Sequence, residues 1–333
     1  MATGIISVGL DLMGHPTLSR TLLAVAGVAY VALVVLFVWR VVAFRAEVVD
    51  DFLDPRRAFG FFTFVAATNV VGVRLGLEGE YVATAVLLGV AGLAWMVLGY
   101  VVPWTAVLGR RDRPVVATAN GTWFIWVVAS QSVAVSAATI EPVYDDARRE
   151  LAVLAVVCWS VGVFLYAAAG IMVALRLMLY AFGPEELTPP YWVAMGALSI
   201  TVLAGARIVE MADAPMVAVT RDLIAGLAVM FWAFATWLIP VLVAAGWWRH
   251  VRHRIPLSYD ATLWSMVFPV GMYGVAGIYL GQADHLPVVE HLGHAGMWCA
   301  FVIWLVVMVA MLTHLANTVF TSRSLPRVPD PAS

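Results

Sequence analysis

Two consecutive stretches decide the fold. The first is Ala117-Thr-Ala-Asn-Gly-Thr-Trp-Phe-Ile-Trp-Val-Val-Ala-Ser-Gln-Ser-Val-Ala-Val-Ser-Ala-Ala-Thr-Ile140. The second is Leu151-Ala-Val-Leu-Ala-Val-Val-Cys-Trp-Ser-Val-Gly-Val-Phe-Leu-Tyr-Ala-Ala-Ala-Gly-Ile-Met-Val-Ala-Leu-Arg-Leu-Met-Leu-Tyr180. Both reach the roughly 20 apolar residues that span a hydrocarbon core. The first carries Asn, Gln, Ser and Thr, whereas the second is almost purely aliphatic and aromatic. Lipid solvates neither polar side chains nor broken backbone, so the first stretch must face protein or a water-filled path, and the second suits lipid.

The same alternation runs along the whole chain. Ten apolar segments are read at residues 2–13, 18–44, 58–77, 81–108, 117–140, 151–180, 190–211, 216–248, 261–281 and 291–320. The odd segments are shorter and bear the Asn, Gln, Ser, Thr, Gly and Pro residues; the even ones are long and greasy. Short connections make sequential neighbours antiparallel hairpins. The expected fold is therefore an all-α integral membrane protein of ten transmembrane helices in five hairpins, with an inner ring of odd helices around a central pore and an outer ring of even helices. Residues 1–320 form one domain in this reading, and 321–333 a flexible cytoplasmic tail.

Composition agrees. Of 333 residues, 63% are hydrophobic and 12% charged, with a mean hydropathy of +0.92, which no ordinary soluble domain shows. The net charge of -2 argues against nucleic acid as a partner. Cys158 and Cys299 lie inside apolar runs and read as small core residues. The first segment is anomalous: twelve residues rise about 18 Å, well short of a core of about 30 Å. It is either a half-span or the remainder of a helix whose start lies upstream of Met1, and the second reading is favoured.

Orientation follows the arginines. With the N-terminus inside, Arg40, Arg45, Arg56, Arg57, Arg110, Arg111, Arg113, Arg176, Arg249, Arg252, Arg254, Arg323 and Arg327 fall on the cytoplasmic side, and Arg20, Arg74, Arg148, Arg149, Arg207 and Arg221 on the other. Both termini are expected in the cytoplasm, and the chain in the plasma membrane.

Candidate functional residues sit on the odd segments. Ser7, Thr63, Thr68, Asn69, Asn120, Gln131, Ser132, Ser199 and Ser265 are pore-lining candidates, against the alternative of hydrogen bonding between helices, worth about 0.6 kcal/mol each in membranes. Arg74, Arg207 and Glu210 read either as an anion-attracting outer vestibule or as interfacial ion pairs. In Trp264-Ser-Met-Val-Phe-Pro-Val-Gly-Met-Tyr-Gly-Val-Ala-Gly277, Pro269 removes a backbone donor and is expected to kink the ninth segment near Ser265. Gly271 and Gly274 loosen or closely pack the same helix. Phe268 beside the kink is a candidate apolar plug, because a hydrophobic constriction gates by dewetting.

His250, His253, His291, His294 and His314 provide no pair at matched depth on two membrane helices for haem. Neither a zinc-type Cys spacing nor a hydrolase, metalloprotease or P-loop signature occurs, so no cofactor and no enzyme activity are expected.

Met1-Ala-Thr-Gly-Ile-Ile-Ser7, the hairpin pattern and Trp264-Ser-Met-Val-Phe-Pro269 together resemble the tellurite-resistance/dicarboxylate transporter family, which includes TehA-like bacterial channels, fungal malic acid permeases and plant slow-type anion channels. Arg57-Ala-Phe-Gly-Phe-Phe-Thr-Phe64 and Glu186-Leu-Thr-Pro-Pro-Tyr-Trp192 look like an actinobacterial branch of it. The resemblance implies small anions or dicarboxylates as cargo, five inner helices around the path, a homotrimer in the bilayer, and closure by the phenylalanine matching Phe268. Two other classes stay open on the residues: a proton-coupled malate-type carrier, with Glu210 the nearest titratable group, and an integral-membrane redox subunit.

Overall fold

The structure, a computed structural model, describes residues 1–109, 114–212 and 214–322. Arg110, Arg111, Arg113, Arg323 and Arg327 and the expected tail from residue 323 lie outside the described residues. Eleven α-helices follow one another: α1 (Ala2–Leu12), α2 (Pro16–Ala43), α3 (Arg45–Leu53), α4 (Thr63–Leu77), α5 (Tyr81–Val102), α6 (Phe124–Ile140), α7 (Arg148–Leu179), α8 (Val193–Val209), α9 (Pro215–Trp247), α10 (Trp264–Ala283) and α11 (Pro287–Ser322). Among the described residues there is no strand. Nine helical segments there are long and apolar enough to cross a membrane, and Ala2–Leu12 is a shorter apolar helix.

Helices α1, α4, α6, α8 and α10 close into a ring, each touching the next and α10 touching α1. Helix α2 packs on α1 and α4, α5 on α4 and α6, α7 on α6 and α8, α9 on α8, and α11 on α10 and α1. Burial sorts the two sets. In the four spans of the inner ring, 61–94% of the central residues are buried, against 11–33% in the five outer spans, so the greasy helices face lipid and the polar ones face protein. The five inner helices run parallel; their C-terminal ends define the upper end of the ring.

Each of α4, α6, α8 and α10 is preceded by a 3₁₀ turn, at Ala58–Phe62, Gly121–Trp123, Pro189–Trp192 and Ala261–Leu263. These four turns stack side by side at the lower end. Side-chain caps start two of them: Asn120 Oδ1 accepts from the Thr122 backbone N–H at 2.8 Å and Asp260 Oδ1 from that of Thr262 at 2.8 Å. A Cβ on Gly121 would collide with the Pro190 carbonyl, so only glycine lets the turns of α6 and α8 meet. Phe59, Phe62 and Trp123 are buried between them, and the Trp123 indole donates to the Pro55 carbonyl at 3.0 Å.

One helix is new relative to the sequence reading. Residues 45–53, expected as connection, form α3 after a break at Phe44. Asp51 ties it down by ion pairs to Arg40 at 2.5 Å and Arg57 at 2.7 Å, and Phe52 packs edge-on against Phe61. The small-residue stripe of α10 is a packing surface. Cβ atoms on Gly274, Gly277 and Gly281 would strike α11, and one on Gly271 would touch Ile5 and Ile6 of α1. Helix α10 continues through Pro269, whose ring fills the space left by Gly196 on α8.

The approach of α11 to α10 gives a test. A Cβ on Gly293 would stand 2.5 Å from the Ile278 backbone nitrogen, and backbone yields only by moving a helix. Gly293→Ala should therefore lower the stability of purified protein by about 1–3 kcal/mol, read as a drop in melting temperature, whereas Gly246→Ala, with open space around it, should leave it unchanged.

Candidate anion path

A narrow cavity of about 30 Å³ lies in the upper half of the inner ring and is lined by all five inner helices. Helix α1 contributes Ile5 and Val8; α4 contributes Asn69, Val70, Val73 and Leu77; α6 contributes Ser132, Val135 and Thr139; α8 contributes Ile200, Leu203 and Arg207; α10 contributes Met272 and Tyr279. These residues recur at spacings of three, four and seven, the single face of a helix. The walls are mostly apolar, and no carboxylate is among the lining residues.

Arg207 is the one cation on the lining. Its guanidinium lies 5.4 Å from the centroid of the Tyr279 ring and 3.6 Å from Glu210 Oε2. Seven residues, about 10 Å along the axis, separate it from Ile200 at the cavity floor. The floor is formed by the lowest lining residue of each helix: Ile5, Asn69, Ser132, Ile200 and Met272. Phe268 lies one turn below Met272 on the same face of α10 and is fully buried. The residues one turn below the floor on the neighbouring helices, Val65, Val128 and Gly196, are buried too.

The structure separates the pore-lining candidates. Asn69 and Ser132 face the cavity and each other, with Asn69 Nδ2 donating to Ser132 Oγ at 3.0 Å. Their preceding neighbours point elsewhere, because one residue turns a helix by about 100°. Thr68 shares a hydrogen bond with the Tyr30 hydroxyl of α2 at 2.8 Å. Gln131 Nε2 donates to the Trp159 carbonyl of α7 at 3.1 Å, over Gly162. Ser199 bonds back to the Met195 carbonyl, and Ser7 bonds to Ser19 of α2. Thr63, Asn120 and Ser265 lie at the lower end, where Asn120 and Thr122 reach the Arg56 carbonyl. Thr139 and Tyr279 line the cavity and were not singled out from the sequence. The signal was present: each lies seven residues beyond another lining residue, Ser132 or Met272.

Arg74 also departs from the vestibule reading. It is fully buried and off the cavity wall. Its Nη2 bonds Asp11 at 3.2 Å, Glu78 at 2.8 Å and Ser19 Oγ at 2.7 Å, and its Nε bonds Ser7 Oγ at 3.0 Å. Ser7 and Ser19 each donate to the other's backbone carbonyl at 2.7 Å. A charge withdrawn from water needs such partners to persist, and here they lock the short α1 to α2 and α4. Arg74 thus holds the wall of the cavity in place.

Residues 1–312 match the family described as voltage-dependent anion channel. The chain belongs to that family. An uncharacterized membrane protein of Mycobacterium tuberculosis (strain H37Rv) is 62% identical over 156 residues, 47% of this chain and 79% of that protein. An uncharacterized transporter of Methanocaldococcus jannaschii is 23% identical over 193 residues, 57% of this chain and 54% of its own length. The voltage-dependent anion channel family is one of channels and transporters, not an enzyme class, and the nine apolar helices make the chain a multi-pass membrane protein.

The Arg74 cluster yields a pH test. The Arg74 guanidinium, and secondly that of Arg20, hold the Glu78 carboxyl below its usual range. A carboxyl lowered in the folded state adds stability above its unfolded value of about 4.3, and that stability is lost as pH falls through the folded value. Glu78→Gln should therefore melt below the wild type at pH 7, and the two curves should converge as the buffer is taken to strongly acidic pH.

Proposed function

We propose that this protein passes small inorganic anions or dicarboxylates across the membrane through the centre of the inner ring, with Phe268 closing the path. The observation that carries the reading is the cavity itself: five helices surround it and its one lining cation is Arg207, while buried Phe268 comes one helical turn before the lining residue Met272.

A cation at the mouth of a low-dielectric funnel raises the local concentration of anions. The absence of carboxylates among the lining residues removes the strongest repulsion an anion would meet there. Below the floor the path is blocked by apolar bulk, and water leaves such a constriction before an ion can cross it. The side chain of a helical residue leans toward the helix N-terminus, so the Phe268 ring extends the plug downward from the floor. With the arginine-rich ends in the cytoplasm, the cavity lies in the outer half of the bilayer and Phe268 in the inner half. A proton-coupled carrier would need a titratable group deep in the path; Glu210 sits at the mouth beside Arg207, so the passive reading is preferred.

The test is anion current in planar bilayers. Phe268→Ala should raise chloride and nitrate current at least tenfold over the wild type, and Phe268→Leu, which keeps bulk, should raise it little. Equal currents from wild type and Phe268→Ala, with both proteins folded, would remove Phe268 as the plug; silence from every variant would sink the anion path.

A further inference from the structure

Asn69 is 1% exposed, lines the cavity floor, and has no protein hydrogen-bond partner at Oδ1. An amide oxygen buried in this way costs free energy unless something donates to it. Its orientation follows from the neighbouring hydroxyl. Ser132 Oγ gives its only proton to the Ala129 carbonyl at 2.7 Å, so toward Asn69 it can only accept. The amide therefore turns Nδ2 to Ser132, at 3.0 Å, and leaves Oδ1 as the unpaired atom.

An unpaired acceptor is an odd fixture for an anion path, since it repels chloride or nitrate. It suits a species that is negative overall and still carries a proton to donate. Arg207, about 10 Å above at the mouth, attracts the charge; Asn69 Oδ1 at the floor receives the proton. The surrounding wall, Ile5, Ile200 and Met272, supplies no donor and no acceptor stronger than the Met272 thioether from its side chains. We infer that the Asn69–Ser132 pair is a specificity determinant favouring oxyanions that retain a proton over proton-free anions of the same shape. The inference rests on the anion-path reading above.

Bicarbonate and nitrate make the comparison clean. Both are planar, trigonal and singly charged, and they differ in the one O–H. The measurement is the bicarbonate-to-nitrate permeability ratio from bi-ionic reversal potentials, taken in the Phe268→Ala background and again with Asn69→Leu or Ser132→Ala added. Loss of one buried hydrogen bond corresponds to a change of at least fivefold. The ratio should fall by that much in Asn69→Leu, which has no acceptor. It should fall in the same direction in Ser132→Ala, where nothing orients the amide; that second variant also serves if Asn69→Leu fails to fold. An unchanged ratio with current intact overturns this inference and leaves the anion path standing. If Phe268→Ala passes neither anion, the path reading falls and this inference falls with it.

Discussion

A polar atom in hydrocarbon has no solvent to fall back on, and this constraint shapes the molecule. Every amide and hydroxyl on a membrane-spanning segment must find a protein partner or a polar cavity. The inner helices carry these groups and are turned away from lipid; the outer helices carry few and are exposed. Most of the polar atoms then serve as latches between the rings. Thr68 holds Tyr30, Gln131 holds the Trp159 carbonyl, the Trp159 indole holds the Thr201 carbonyl, and Thr236 shares a hydrogen bond with Tyr273. Two of these carbonyls also serve the helical ladder, so the latches add cohesion without breaking the helices.

The ring closes because small residues stand where helices cross. Gly196 admits Pro269, Gly271 admits α1, and Gly293 meets the backbone of α10. Without a hydrophobic driving force between helices in lipid, close van der Waals contact over such positions carries much of the association. The same closeness leaves little room below the cavity floor, where Val65, Val128, Gly196 and Phe268 are buried. The cavity is thus confined to the upper half of the ring.

Charge is arranged with equal economy. Arg74 and Arg207 both lie near the upper end, yet one is spent on structure and the other faces the cavity. Arg74 is ringed by two carboxylates and two serine hydroxyls, which neutralise it and bind the short α1 into the wall. Arg207 has one carboxylate at a longer distance and an aromatic ring, which leaves its field directed along the cavity.

Much was legible from the chain alone. Segment lengths, the alternation of polar and greasy runs, and the hairpin order determined an all-helical membrane protein with an inner and an outer set, because hydrophobicity and its period are local properties. Asn69, Ser132 and Arg207 were among the residues singled out. What the chain could not determine was direction around each helix. Thr68 and Asn69, or Gln131 and Ser132, are adjacent and chemically alike, yet a turn of about 100° sends one to an outer helix and the other to the cavity. Helix α3 was missed because it is short and mixes charged with apolar residues, so no apolar run marks it; Asp51 ties it to Arg40 and Arg57, 11 and 6 residues away. Arg74 stayed open between vestibule and ion pair, because Ser7, Asp11 and Ser19 reach it from α1 and α2, as many as 67 residues away, to join Glu78. Sequence determined which helices form and which must hide from lipid; only the tertiary packing decided which polar face meets the cavity, since that depends on neighbours no local pattern records.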